Sequence, residues 1–329
     1  MNKNKGINYR IKSLFSEIGI LQRGSLNIIK KEGFVSYLKI ACGMPVFKIT
    51  SHLWSTLKSD ITIKDIIGSK MSLDYSRGRG EISLHTWGCH EPLFTKVMMS
   101  ELKPGMTIVD IGANIGYYAL LEAKTVGNSG KVYAIEPEPA NFDRLKKNIA
   151  LNNYANIETY KIAVCDMSGK KTLYQSESPN LHSLLGANGT NAPKNSYIST
   201  IDVQTTSLDE FLNGKQPPDL IRMDVEGYEY YIIEGMKQTL NANRNLKIFM
   251  ELHSATMKAA GLNMEVMMTT LSDTGFKPKY LIRRTLQHPW QNPLSNEIDI
   301  KTFECKESLA DLCNNKGYAD GLLMEKIIS

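Results

Sequence analysis

The sequence predicts an α/β fold: a doubly wound, mostly parallel seven-stranded sheet of the Rossmann-like kind, behind a helical N-terminal extension. Two observations predict it. From Lys103 onward, short apolar runs alternate with amphipathic ones at lengths that suit parallel strands joined by crossover helices. The first such run also passes through two glycines directly into a helix, in "TIVDIGANIGYYALLEA", Thr107 to Ala123.

Residues 1–95 read as the extension and residues 96–329 as the α/β domain. In the extension, "YRIKSLFSEIGILQ" and "SLNIIKKEGFVSYLKIA" place apolar residues three and four apart, which predicts two amphipathic helices interrupted near Gly24. "KMSLDYSRGRGEISLHTW" then carries short strand-like pieces around a turn-forming "SRGRG". In the domain, "TIVDIG", "KVYAIEP" and "IETYKIAV" are strands, separated by the helices "NIGYYALLEAKTVG" and "PANFDRLKKNIALNN". Next comes a stretch rich in Ser, Asn, Gly and Thr with β-prone ends, which predicts a hairpin or flap whose middle spans 176–199. "SLDEFL" is a short helix with Ser207 as its cap and Glu210 three residues on. "PDLIRMDVEG" and "NLKIFMELH" are strands flanking one helix, "YEYYIIEGMKQTL". A helix in "AGLNMEVMMTTLSDTG" and strands in "FKPKYLI" and "YADGLLMEKI" complete the sheet.

Composition narrows the class. Of 329 residues, 42% are hydrophobic and 22% charged, close to ordinary globular proteins. No apolar run approaches a membrane span, and "MNKNKGINYR" lacks the apolar centre of a secretory signal, so a cytoplasmic location is expected. The five cysteines are scattered with no C-x-x-C pair, which predicts free thiols rather than a zinc site. The net charge of +5 is uneven: residues 1–64 hold eleven Lys and Arg against Glu17, Glu32 and Asp60, a net of +8. The basic character therefore belongs to the extension, and the domain itself is not expected to bind nucleic acid. The apolar faces of that extension are expected to pack on the α/β domain or on a second subunit of a homo-oligomer, with peripheral contact with an anionic membrane as the alternative.

A strand that enters a helix through glycines sets unpaired helix N–H groups before the strand edge, where a ligand's acceptor atoms bind. Gly112 and Gly116 allow close approach, Asp110 ends the strand, and Asn114 lies within the turn. A dinucleotide site prefers G-x-G-x-x-G. Here the spacing is D-x-G-x-N-x-G, with Tyr117 where the last glycine would fall, which points to a nucleoside cofactor without a pyrophosphate. S-adenosylmethionine fits that description. Its ribose calls for an acid at the end of the second strand, and Glu136 stands there, twenty positions after Gly116.

Together, "LKPGMTIVDIGANIGYYALLEA", "VYAIEPEPANFDRLKKNIALNN", "SLDEFL", "DLIRMDVEGYEYYIIEGM" and "IFMELH" resemble the FkbM-type S-adenosylmethionine-dependent methyltransferases, from about Glu91 to Phe276. The resemblance implies a class I methyltransferase fold with the cofactor above the C-terminal strand edges. Carried over by position, it implies Asp110, Gly112, Asn114 and Gly116 around the methionine moiety and Glu136 on the ribose. It also implies Ala163 and Asp166 on the adenine side and Glu91 near the amino-acid end. Asp166 has the alternative of a turn former before Gly169, and Glu91 that of a helix-start acid. The implied acceptor is a hydroxyl on a small molecule, sugar or natural product.

A protonated hydroxyl is a poor nucleophile, so a base or a metal must assist. Asp224, Glu226, Glu251 and His253 end two strands that should adjoin at the ligand edge, with each pair sharing a face. Three readings stay open. Asp224 with Glu251 or His253 deprotonates the acceptor; or Asp224, Glu251 and His253 bind a divalent ion; or the group is structural, with Glu226 capping a helix or pairing with Arg222 and His253 a satisfied loop histidine. His182 and Ser183 read as solvated flap residues, with a substrate contact as the alternative. A nucleic-acid methyltransferase is the rival class, but "MDVEG" stands where enzymes that modify base amino groups carry an N-P-P-Y-like loop.

Overall fold

The computed structural model describes residues 61–74, 77, 80–81, 84–85, 88–186, 197–243, 245–282, 300–302 and 320–327. The two helices expected before residue 61, Trp54, Trp87, Trp290 and the tip of the flap lie outside the described residues.

The chain opens on an antiparallel hairpin, β1 (Ile61–Ile66) and β2 (Ser69–Asp74), followed by helix α1 (Pro92–Glu101). The β/α alternation then runs β3 (Thr107–Ile111), α2 (Tyr117–Val126), β4 (Lys131–Ile135), α3 (Pro139–Ala150) and β5 (Ile157–Tyr160). Three strands form a separate small sheet: β6 (Ala163–Cys165), β7 (Gly169–Ser176) and β8 (Tyr197–Ser207). After α4 (Leu208–Phe211) come β9 (Leu220–Met223), α5 (Glu229–Glu234), α6 (Lys237–Ala242), β10 (Lys247–Leu252), α7 (Ser254–Ala259) and α8 (Met264–Asp273). Strands β11 (Phe276–Ile282), β12 (Ile300–Thr302) and β13 (Asp320–Lys326) follow.

The main sheet has the order β12-β11-β13-β10-β9-β3-β4-β5. Strands β5, β4, β3, β9 and β10 are parallel, and β13 enters antiparallel between β10 and β11. The seven strands expected from the sequence are all present, and β12 adds a three-residue edge. Their apolar residues alternate between faces as the pleat requires. Ile108 and Leu220 pack with α1, α2 and the β1–β2 hairpin, while Val109, Ile111 and Ile221 pack with α4 to α8.

Three local expectations are corrected. "IETYKIAV" is not one strand: it breaks at Lys161–Ile162, because β6 leaves the main sheet to pair parallel with β8. "YEYYIIEGMKQTL" is two helices, broken at Gly235, where a Cβ would lie 2.1 Å from the Cys165 carbonyl oxygen. β1 carries an apolar alternation in "ITIKDI" that was not read as a strand. The hairpin expected around the flap is there, with β7 and β8 paired antiparallel over its stem. Among the described residues, no helix is long and apolar enough to cross a membrane, and Cys89 and Cys165 are free thiols.

Candidate active site

A strand must end for its last residues to face a ligand, and three strands end together here. The C-terminal edges of β3, β4 and β9, with β6 and the flap stem, border a cleft whose space, open solvent at its mouth included, is about 630 Å³. Gly112, Asn114, Glu136, Ala163, Asp224 and Glu226 line it, joined by Asn141 from α3 and Asn180 and His182 from the flap.

The glycine turn sets the first wall. Gly112 adopts φ +81°, and a Cβ there would lie 2.0 Å from the Asp224 carbonyl oxygen, so β3 and β9 approach with no room for a side chain. The N–H groups of Gly112 and Ala113 both donate to the Ile135 carbonyl, which fastens the turn to β4. Asn114 sits at φ +50°, a left-handed position that asparagine tolerates. Its N–H donates to Glu136 Oε2 at 2.9 Å, while the Glu138 N–H donates to Oε1 at 2.9 Å. Glu136 is thus oriented by backbone on both oxygens. Burial nevertheless pushes it up to about 7, against the pull of those N–H groups.

The second wall is acidic. Asp224 Oδ2 accepts from Arg222 at 3.0 Å, and Arg222 also reaches Asp110 Oδ1 at 2.8 Å. The Arg222 guanidinium lies 4.0 Å from the Tyr118 ring centroid. Glu226 adopts φ +52°, a strained position for a residue with a Cβ. Its Oε2 lies 3.4 Å from His253 Nε2, and Glu251 Oε1 lies 3.8 Å from the same nitrogen. On the other side of the ring, His253 Nδ1 meets Glu229 Oε1 at 2.6 Å. Burial alone would lower His253, but Glu226, Glu229 and Glu251 together raise it well above the usual histidine range. Burial raises Glu226 to about 7, with His253 opposing and Asp224 and Glu229 adding to the rise. Glu251 is also raised, first by burial and then by Asp224.

The structure therefore separates the residues expected from the sequence. Gly112, Asn114, Glu136, Ala163 and Asp224 line the cleft; Asp110, Gly116, Glu91, Asp166, Glu251 and His253 do not. Asp110 is fully buried and spent on Arg222 rather than facing the space. Asp166 faces Lys171 at 3.6 Å, and Glu91, at the start of α1, lies 3.4 Å from the Tyr118 hydroxyl. Glu226 neither caps α5 nor pairs with Arg222, since Asp110 and Asp224 already hold that guanidinium. Among the described residues, those able to share a cation are Asp224, Glu226 and His253, whose donor atoms all lie within 4.8 Å of one another; Glu226 takes the place expected for Glu251.

A family model described as the methyltransferase FkbM domain matches residues 110–278, just over half of the chain. The chain belongs to the FkbM methyltransferase family. FkbM-type relatives with assigned roles are distant. The hexuronic acid methyltransferase AglP of Haloferax volcanii is 28% identical over 149 residues, covering 45% of this chain and 56% of that protein. The 2-O-methyltransferase NoeI of Sinorhizobium fredii is 28% identical over 155 residues, covering 43% and 62%. Methyltransferase 1 of Beauveria bassiana is 27% identical over 145 residues, covering 39% and 57%. The chain spans about three-fifths of the length of these relatives.

The FkbM cofactor, S-adenosylmethionine, fits this cleft on the chemistry of its lining. Carboxylates of Glu136, Asp224 and Glu226 face the space, and no Lys or Arg among the described residues lines it. Such a lining suits a sulfonium cation and repels a pyrophosphate. Apolar Ile135, Ile162, Val164 and Leu173 complete a surface for a purine. His182, expected as a solvated flap residue, lines the cleft instead, while Asn141 and Glu229 lie outside the expected site residues. Asn141 and Glu229 do stand five positions after Glu136 and two after Gly227.

Proposed function

We propose that this chain is an S-adenosylmethionine-dependent O-methyltransferase, acting in the cytoplasm on a hydroxyl of a sugar, with hexuronic acids as the first class to examine. The observation that carries the reading is a single cleft with a backbone-oriented carboxylate, Glu136, on one wall and the free edge of Asp224 and Glu226 on the other. The names of the distant relatives AglP and NoeI, a hexuronic acid methyltransferase and a 2-O-methyltransferase, support the acceptor class. The cationless lining speaks against a nucleic-acid acceptor.

In this reading Glu136 holds the ribose, and Gly112 and Asn114 border the amino-acid end. When bound, the cofactor supplies a methyl group on a positive sulfur; its transfer forms the O–C bond, breaks the S–C bond and frees the hydroxyl proton. Glu226 receives that proton, because it is the titrating group that both faces the cleft and meets His253. His253, set between Glu226, Glu251 and Glu229, favours the ionised form of Glu226 and offsets part of the cost of its burial. Asp224, tied to Arg222, flanks the acceptor and adds negative charge.

Transfer of labelled methyl from S-adenosylmethionine to a panel of hexuronic-acid and neutral glycans tests this. The wild type should methylate a hydroxyl, with a rate that rises with pH through about 7 as Glu226 ionises. Glu226→Gln should lower kcat roughly 10²- to 10³-fold, as expected for a lost general base. His253→Asn should shift the profile to higher pH by removing the positive partner. A Glu226→Gln enzyme as fast as the wild type would remove Glu226 from the chemistry.

A further inference from the structure

Asn141 carries a polar atom that the fold leaves unsatisfied. Its side chain is 2% exposed and lines the cleft. The amide nitrogen donates to the Pro179 carbonyl at 2.9 Å, which fixes the orientation of the group, since a flipped amide would set two oxygens together. Its Oδ1 has no partner within the protein. A buried acceptor left empty costs about 1–3 kcal/mol, so such an atom on a residue that lines a cleft calls for a donor on the ligand.

The flap brings a second group to the same wall. His182 lines the cleft, and its Nδ1 accepts the Ser176 N–H at 3.0 Å. An accepting Nδ1 cannot carry hydrogen, so the neutral ring must carry it on Nε2 as a donor. Burial favours that neutral form, as does Arg77, with Glu138 opposing them. The two residues are mechanically joined. Pro179, which fixes the Asn141 amide, is three residues before His182, and Glu138, which accepts the Asn141 N–H, also accepts from Gln175 of β7.

We propose that Asn141 Oδ1 and the His182 imidazole form a clasp for the cofactor ribose, closing over the sugar that Glu136 holds from below. A hydroxyl group both donates and accepts, and this wall offers one acceptor and one donor beside a carboxylate. A vicinal diol satisfies all three: one hydroxyl to Glu136, another donating to Asn141 Oδ1 and accepting from His182 Nε2–H. The flap stem is then part of the cofactor site. The inference rests on the cofactor reading above and extends it to two residues outside the glycine turn.

Calorimetry with S-adenosylhomocysteine, and with its analogue lacking both ribose hydroxyls, tests the clasp. Asn141→Ala and His182→Ala should each weaken S-adenosylhomocysteine binding roughly three- to tenfold, the worth of one neutral hydrogen bond. Neither should change binding of the dideoxy analogue. Loss of equal size on both ligands, or no loss on either, overturns the clasp while the cofactor reading stands. Wild-type protein that binds no S-adenosylhomocysteine takes both down. Should Asn141→Ala not fold, His182→Ala carries the same comparison, because His182 is only half-buried and anchors no helix.

Discussion

Glu136, proposed to hold the ribose, is a carboxylate with both oxygens oriented by backbone. Two backbone N–H groups fix its oxygens, each of which keeps a lone pair, while burial raises its proton affinity to about 7 from an ordinary 4.5. The sign follows from that rise. The ligand-free fold holds the proton more tightly than the unfolded chain, so this group's contribution to stability is fully present below pH 4.5 and lost as pH climbs through 7. A ribose hydroxyl donating to the ionised form reverses the preference and expels the proton. S-adenosylhomocysteine affinity should therefore rise several-fold between pH 6 and pH 8, and the rise should vanish in Glu136→Gln; titration calorimetry at both pH values checks it. Glu136 was legible in the sequence because spacing alone places an acid at the end of the second strand. The partners of Asp110 and Glu226 were not. Which carboxylate takes Arg222 depends on the register of β3 against β9, where Asp110 stands beside Arg222, and no local pattern encodes a cross-strand neighbour 112 residues away.

Among elements, the β3 turn and the flap place the site between them. β3 and β9 run side by side, and the Asp224 N–H donates to the Ile111 carbonyl at 3.1 Å, so the two strand ends that carry the proposed cofactor and acceptor groups are locked in register. Gly112 makes that approach feasible. Gly112→Ala should combine an unfavourable φ with a Cβ 2.0 Å from a backbone oxygen that cannot swing away. Strain of about 1–3 kcal/mol for the backbone alone, with the steric clash added, predicts a marked fall in thermal midpoint and loss of S-adenosylhomocysteine binding. A variant with unchanged melting and affinity would show that the turn relaxes freely. The parallel strands and crossover helices were legible because each has a strong period and a clear terminator. The breaks in "IETYKIAV" and "YEYYIIEGMKQTL" were not, because both arise from tertiary contacts: β6 defects to β8, and Gly235 passes against the Cys165 carbonyl.

At the scale of the whole molecule, the sheet separates two apolar layers, and the expected boundary at residue 95 runs through one of them. Ile66, Met71, Leu73, Leu84 and Phe94 all precede that boundary, yet they are buried in the same cluster as Leu120 of α2 and Leu145 of α3. Polar ties run across it as well: the Ser72 N–H donates to Asn148 Oδ1 at 2.8 Å, and Arg144 pairs with Glu81. Five such side chains at about 1.5–3 kcal/mol each amount to roughly the entire stability of an ordinary domain. Among the described residues, by contrast, the candidate site draws on those from Ile111 to His253. We therefore expect a functional boundary at residue 60 rather than 95. Protein starting at Ile61 should melt cooperatively and bind S-adenosylhomocysteine within about twofold of the full chain, whereas protein starting at Lys96 should show no cooperative transition in calorimetry. Folding of the shorter form with an unaltered midpoint would mean that the hairpin and α1 contribute nothing to the core they line.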